Sequence, residues 1–193
     1  MELNYLKNYK LEGEQLEIFK YPAPVLKKIA TPVVSFDQDL RTLVKNMLFT
    51  MYHAPGIGLA APQVGISQRI FVLDIWYERE KVTLADGTEE FRLSEFHPLV
   101  LINPEFIRKE GEFIYEEGCL SVPGFYEEVK RAKEVEVRYQ DLEGNFHTLV
   151  ADELFAVCLQ HENDHLDGIV FIERLSLIKK EIIKKKIQKN LKK

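Results

Sequence analysis

At 193 residues with 46% hydrophobic and 30% charged residues, the chain fits a single globular domain, residues 1–193, with a sizeable core. A net charge of −5 argues against DNA binding, and no apolar run reaches the ~20 residues of a membrane span. The polar start, with Glu2, Glu12 and Glu14, has no secretory h-region, and two cysteines do not make a disulfide framework. A reducing, cytoplasmic setting is expected; an organellar one requires a transit peptide already removed.

In chain order, Tyr21-Pro22-Ala23-Pro24 opens an extended segment, and Thr31-Pro32 interrupts any helix there. Leu40, Leu43, Val44, Met47, Leu48 and Met51 have helical spacing, with Asp37 placed to cap the helix. Gly56-Ile57-Gly58-Leu59-Ala60-Ala61-Pro62-Gln63-Val64-Gly65 follows. Its glycines superficially match a dinucleotide fingerprint, which requires a strand before it and a helix after it. Here the order is reversed, since the β-type run Arg69–Ile75 comes afterwards. The glycines are instead expected to let backbone pass close to a ligand, with the Gln63 amide as a donor. Asp86-Gly87 marks a hairpin tip, and further strands are expected at Leu99–Ile102, Phe106–Tyr115 and Phe146–Val150. Val129, Val135, Val137 and Tyr139 share one parity, and Asp141–Asn145 supplies a turn.

The tightest chemical pattern is His161-Glu162-Asn163-Asp164-His165. Histidines at i and i+4 on a helix share one face and suit a common metal ion, and the adjacent glutamate can handle a proton. Asp152 is placed to cap this helix and Gly168 to end it. The run extends toward a zinc-peptidase pattern, but Phe171 stands where a third histidine would be needed. Glu173 and Glu181 are unspecific downstream carboxylates. Of the two cysteines, Cys158 lies seven residues before His165, an axial rise of about 10.5 Å, too far for a short side chain to share one ion with both histidines. Cys119, in the glycine-flanked segment Glu117–Gly124, can be aimed at the helix from elsewhere. The expected metal ligands are therefore Cys119, His161 and His165. Cys158 is read as part of an apolar wall with Leu154 and Val157, while His53, His97 and His147 are expected in surface or structural roles.

The motifs G-I-G-L-A-A-P-Q, E-G-C-L-S and H-E-x-D-H, in this order, resemble those of the peptide deformylase family, and the resemblance spans about Ile18 to Ile172. It implies an α+β fold in which antiparallel β-sheets surround a central metal-binding helix. The implied activity is removal of the N-formyl group from the N-terminal methionine of newly synthesised polypeptides, releasing formate. Glu162 would be the proton carrier, and the Gln63 side chain and Leu120 backbone N–H the oxyanion donors. Ile57, Gly58, Leu154 and Cys158 would meet the substrate. Glu117 with Arg131 is expected to form an ion pair holding the Cys119 loop, and Asp164 is either a carboxylate partner of the ligands or an exposed helix residue. The donor set accepts Fe²⁺, Zn²⁺, Ni²⁺ or Co²⁺, and the resemblance implies Fe²⁺ as the native ion. The alternative is an H-E-x-x-H metallopeptidase cleaving peptide bonds. The Trp76–Pro98 segment is longer than compact forms of the family require. The 176–193 tail places Ile178, Ile182, Ile183 and Ile187 at helical spacing among many lysines; this basic C-terminal helix either packs on the domain or docks on ribosomes, the partner of a nascent-chain enzyme.

Overall fold

The computed structural model describes residues 3–7, 9–84 and 86–190. The first helix, α1 (Gln38–His53), begins where expected, with the Asp37 side chain accepting from the Leu40 N–H. It leads to a short strand, β1 (Gly58–Ala60), a 3₁₀ turn at Ala61–Val64, and β2 (Ile70–Leu73). The remaining strands are β3 (Glu78–Thr83), β4 (Glu89–Ser94), β5 (Leu99–Glu110), β6 (Phe113–Gly118), β7 (Tyr126–Arg131), β8 (Glu134–Gln140) and β9 (Phe146–Asp152). Helix α2 (Glu153–Leu166) carries the H-E-x-x-H run, and α3 (Leu177–Asn190) follows it.

Strands β1-β2-β5-β8-β9 form an antiparallel sheet in that order, while β3-β4 and β6-β7 are separate two-stranded sheets. Both faces of the main sheet are covered at β2, which explains why Ile70-Phe71-Val72-Leu73 is apolar without alternation. Phe71 and Leu73 pack with Phe155, Ala156 and Leu159 of α2. Ile70 and Val72 pack with Val44, Met47 and Met51 of α1. Helix α2 is accordingly buried from Phe155 through Leu166. Such a helix gives its functional side chains little room to move.

Some expectations need revision. The two strands expected at Leu99–Ile102 and Phe106–Tyr115 are instead one twelve-residue β5 and a separate β6. The chain passes Asn103-Pro104 through a register shift, with Asn103 at φ +50° and its side chain bonded to Val33 and Gln140, and it turns at Gly111. A bulge is where a strand tolerates proline. Val129 and Val135 share parity but lie in different sheets. Asp152 precedes α2 without a side-chain capping bond; Glu153, at φ +46°, instead donates its N–H to the Lys133 carbonyl. The Trp76–Pro98 segment is an exposed hairpin turning at Asp86-Gly87, rooted by buried Asp74, which accepts from Trp76, Tyr77 and His97 N–H groups and Tyr52 OH. Helix α3 buries Ile183 and Ile187 but leaves Ile178 and Ile182 exposed. Lys192 and Lys193 lie outside the described residues. No described helix is long and apolar enough to cross a membrane.

Candidate active site

Helical spacing brings His161 and His165 together on α2, with ring centroids 5.1 Å apart. The connection from β6 to β7 brings Cys119 to them, its Sγ 3.3 Å from His165 Nε2. One ligand atom from each of Cys119, His161 and His165 lies within 4.8 Å of the others. Atoms bound tetrahedrally to one ion at about 2.0–2.3 Å sit about 3.3–3.8 Å apart, so the three donors fit a divalent metal with little adjustment. His161 Nδ1 is bonded to Glu117 Oε2 at 2.8 Å, which leaves the other ring nitrogen for the centre. His165 Nδ1 is buried without a hydrogen-bond partner among the described residues.

The electrostatics suit a cation. Burial alone would raise the Cys119 thiol, but His165 and His161 hold it well below its usual range. Cys158 lacks such neighbours: burial and the nearby Glu162 and Glu117 push its thiol up, and its Sγ points to the Ile57 carbonyl at 3.7 Å. It is a wall residue. Glu162 is pushed up to about 7 by burial against the opposing pull of His161 and His165, and its Oε2 has no partner among the described residues.

Gln63 is almost fully buried. Its Oε1 accepts from the Ala60 N–H at 2.8 Å, and its Nε2 donates to Ser121 Oγ at 3.2 Å and toward Cys119 Sγ at 3.6 Å. The Cys119 loop is pinned from a second side by Tyr21 N–H donating to the Ser121 carbonyl at 2.8 Å and by Lys20 Nζ donating to the Leu120 carbonyl at 2.7 Å. A cavity of about 620 Å³ adjoins the cluster and includes Ile57, Gly58, Leu154 and Cys158 in its lining, together with Val157. The four expected substrate-contact residues thus line one space.

Gly58 lines the cavity and also has a steric reason of its own. A Cβ there would strike Glu162, lying 2.8 Å from its Cδ, so this glycine makes room for the carboxylate. Gly56 similarly makes room for Leu120, whose Cδ1 would be 2.8 Å from an added Cβ. Asp164 is not an exposed carboxylate, nor does it bond His161 or His165. It is buried between Arg131 and Arg174, whose bonds hold its carboxyl below its ordinary value despite burial. The carboxylate on His161 is Glu117, paired as expected with Arg131; although burial raises it, Arg131 and His161 bring it to about 2. Ser121, Lys20 and Arg174 escaped sequence reasoning because only tertiary contacts give them roles. His53, His97 and His147 bond locally to Phe49, Glu95 and Asp141, away from the cluster. Phe171, where a peptidase would need its third histidine, lies stacked with His161 at a centroid distance of 6.3 Å.

A helix-borne histidine pair, a cysteine and a buried glutamate beside a cavity define a metal-dependent hydrolase. Comparison with known proteins narrows the class. Residues 15–181 match the polypeptide deformylase family model. The peptide deformylase of Alkalilimnicola ehrlichii is 46% identical over 174 residues, covering 90% of this chain and 89% of that protein. The Chromobacterium violaceum peptide deformylase is 47% identical over 174 residues, covering 90% and 95%. A crystal structure of the Legionella pneumophila peptide deformylase superimposes with TM-score 0.79 at 40% identity, covering 92% of this chain and 96% of that one. The chain belongs to the peptide deformylase family, metal-dependent hydrolases that remove the N-formyl group from newly synthesised polypeptides. The metallopeptidase alternative is not favoured.

Proposed function

We propose that Cys119, His161 and His165 hold one divalent ion and that Glu162, Gln63 and the Leu120 N–H carry out deformylation of N-formylmethionyl peptides beside it. The carrying observation is the meeting of the three donor side chains within 4.8 Å, with Gln63 bonded toward Cys119 and with Glu162 on the same helix. When bound, the ion supplies Lewis acidity and makes a water nucleophilic near neutral pH. Glu162 takes the water proton and returns it to the leaving amine, acting as base and then acid. Gln63 Nε2 and the Leu120 N–H donate to the oxyanion that develops on the formyl oxygen, each worth ~2.7–4 kcal/mol in the transition state. The C–N bond breaks to give formate and a free N-terminal amine. Ile57, Leu154 and Cys158 receive the methionine side chain, while Gly58 lets the substrate backbone pass close to the loop and leaves room for Glu162.

The native ion in this reading is Fe²⁺; one thiolate with two imidazoles suits it but also accepts Zn²⁺, Ni²⁺ or Co²⁺. Anaerobic purification with metal analysis tests this. Residues 1–193 act as one catalytic domain in the cytoplasm. On α3, Lys179, Lys180 and Lys184 are paired with Glu127, Glu173 and Glu181, whereas Lys185, Lys186 and Lys189 are exposed. These outer lysines are suited to an RNA surface on the ribosome. Reversing their charge should weaken salt-sensitive ribosome co-sedimentation without changing turnover of short peptides; unchanged co-sedimentation would remove α3 from that role.

The activity itself is tested with formyl-Met-Ala-Ser, acetyl-Met-Ala-Ser and a peptide with a blocked N-terminus and internal bonds. Formate release from the first, with little action on the other two, is expected. Internal cleavage would restore the peptidase reading.

A further inference from the structure

Four charged side chains of alternating sign run from solvent to the ring of His161. Glu117 accepts from Arg131 Nε at 2.7 Å and Arg131 Nη2 at 2.9 Å, and its Oε2 also meets His161 Nδ1 at 2.8 Å. The same guanidinium donates through Nη1 to Asp164 Oδ2 at 2.6 Å. Arg174 closes the line, with Nε on Asp164 Oδ2 at 3.0 Å and Nη2 on Asp164 Oδ1 at 2.5 Å. The side chains of Glu117, Arg131 and Asp164 are 3%, 4% and 7% exposed, whereas that of Arg174 is 44% exposed. Two carboxylates therefore face two guanidiniums, and the outermost guanidinium is the one solvent can reach.

We propose that Arg174 is a positioning residue for the metal centre, acting through Asp164, Arg131 and Glu117 on the orientation of the His161 ring. Without Arg174, Asp164 Oδ1 loses its described side-chain donor, and Arg131 alone faces two buried carboxylates. A guanidinium is planar and rigid, so a shift of Nη1 toward Asp164 carries Nε and Nη2 with it, away from Glu117. Glu117 Oε2 is shared between Arg131 and His161, so the disturbance arrives at the ligand nitrogen's own ring. Lys109 is a further cation within electrostatic reach, but it makes no described hydrogen bond to Asp164, and it can offset charge without fixing geometry. The inference rests on the assignment of His161 and Cys119 as ligands.

The test is zinc affinity of the metal-free full-length protein, read by competition with a chromophoric chelator. Loss of a direct partner of a ligating histidine costs 10–100-fold in affinity; Arg174 stands further out, so Arg174→Met should raise the zinc Kd by about 3–10-fold. Lys180→Met breaks the neighbouring pair with Glu173 without touching Asp164, and should change the Kd by less than twofold. Adding Asp164→Asn to Arg174→Met removes the uncompensated carboxylate, and the two changes should be non-additive. A Kd for Arg174→Met within twofold of the unmodified protein overturns the proposal, as does an equal rise in Lys180→Met. If Arg174→Met does not fold, Arg174→Lys decides: it keeps the charge but lacks the fork, and unchanged affinity counts against the proposal. Cys119→Ala separates the two levels, because wild-type zinc affinity in that variant would sink the ligand assignment itself.

Discussion

Replacing Gly58 with alanine should slow deformylation by about 10–100-fold while leaving the fold and the ion in place. The added methyl would come closest to Glu162 Oε1 and lie 2.9 Å from its Cγ and 2.8 Å from its Cδ, where ordinary van der Waals contact begins at 3.4 Å. The side chain must therefore retreat by at least 0.5–0.6 Å at Cγ and Cδ, the difference between these distances, and by more at Oε1. Helix α2 is buried between the sheet and the Cys119 loop and does not slide as a body, so Glu162 must rotate away. A misplacement on the order of 1 Å in a catalytic group can cost ~10²-fold, which sets the upper end of the range. Gly58 does not have a positive φ, so alanine adds no left-handed strain; overpacking should cost about 1–3 kcal/mol of stability. Steady-state formate release from formyl-Met-Ala-Ser gives kcat, with metal content and thermal melting measured on the same sample. A kcat within twofold of the unmodified enzyme, with metal bound, would refute the assignment of Glu162 as the proton carrier held by this contact.

Glu162→Gln should abolish formate release with about one metal ion still bound, because Glu162 is assigned to the proton and not the ion; near-normal turnover would contradict this. Cys119→Ala should lose metal and activity, whereas Cys158→Ala should keep the metal and change the preference for the first side chain of the substrate. The reverse pattern, seen by metal analysis and substrate competition, would exchange the two cysteines. Gln63→Leu should lower kcat by ~10²–10³-fold with little change in KM, as expected for a donor used mainly in the transition state; an effect confined to KM would make Gln63 a ground-state binding residue. Arg131→Met leaves Glu117 and Asp164 buried without their shared cation, and should destabilise the protein by about 3–5 kcal/mol in urea unfolding. A loss below about 1 kcal/mol would show that the carboxylates are satisfied in another way.

The parts of this protein legible in its sequence are those governed by short-range geometry. A 3.6-residue period places His161 and His165 on one face whatever surrounds them, and axial rise rejects Cys158 as a third ligand from spacing alone. The Asp37 cap and the Asp86-Gly87 turn are equally local, since each depends on backbone groups a few residues away. Strand parity groups Val129, Val135, Val137 and Tyr139, all of them buried, but it could not say that the first belongs to a different sheet. Tertiary structure alone decided the environment of the candidate site. Glu117 meets His161 across 44 residues of chain, and Gln63 meets Ser121 across 58, separations over which no periodicity carries information. The helix pattern likewise could not show that Asp164 faces two arginines, because a buried carboxylate is tolerated only where packing delivers its partners. Gly58 shows the same limit: its sequence neighbours suggest a loop open to substrate, but they do not show that a Cβ there would also strike Glu162, a side chain that only folding brings there.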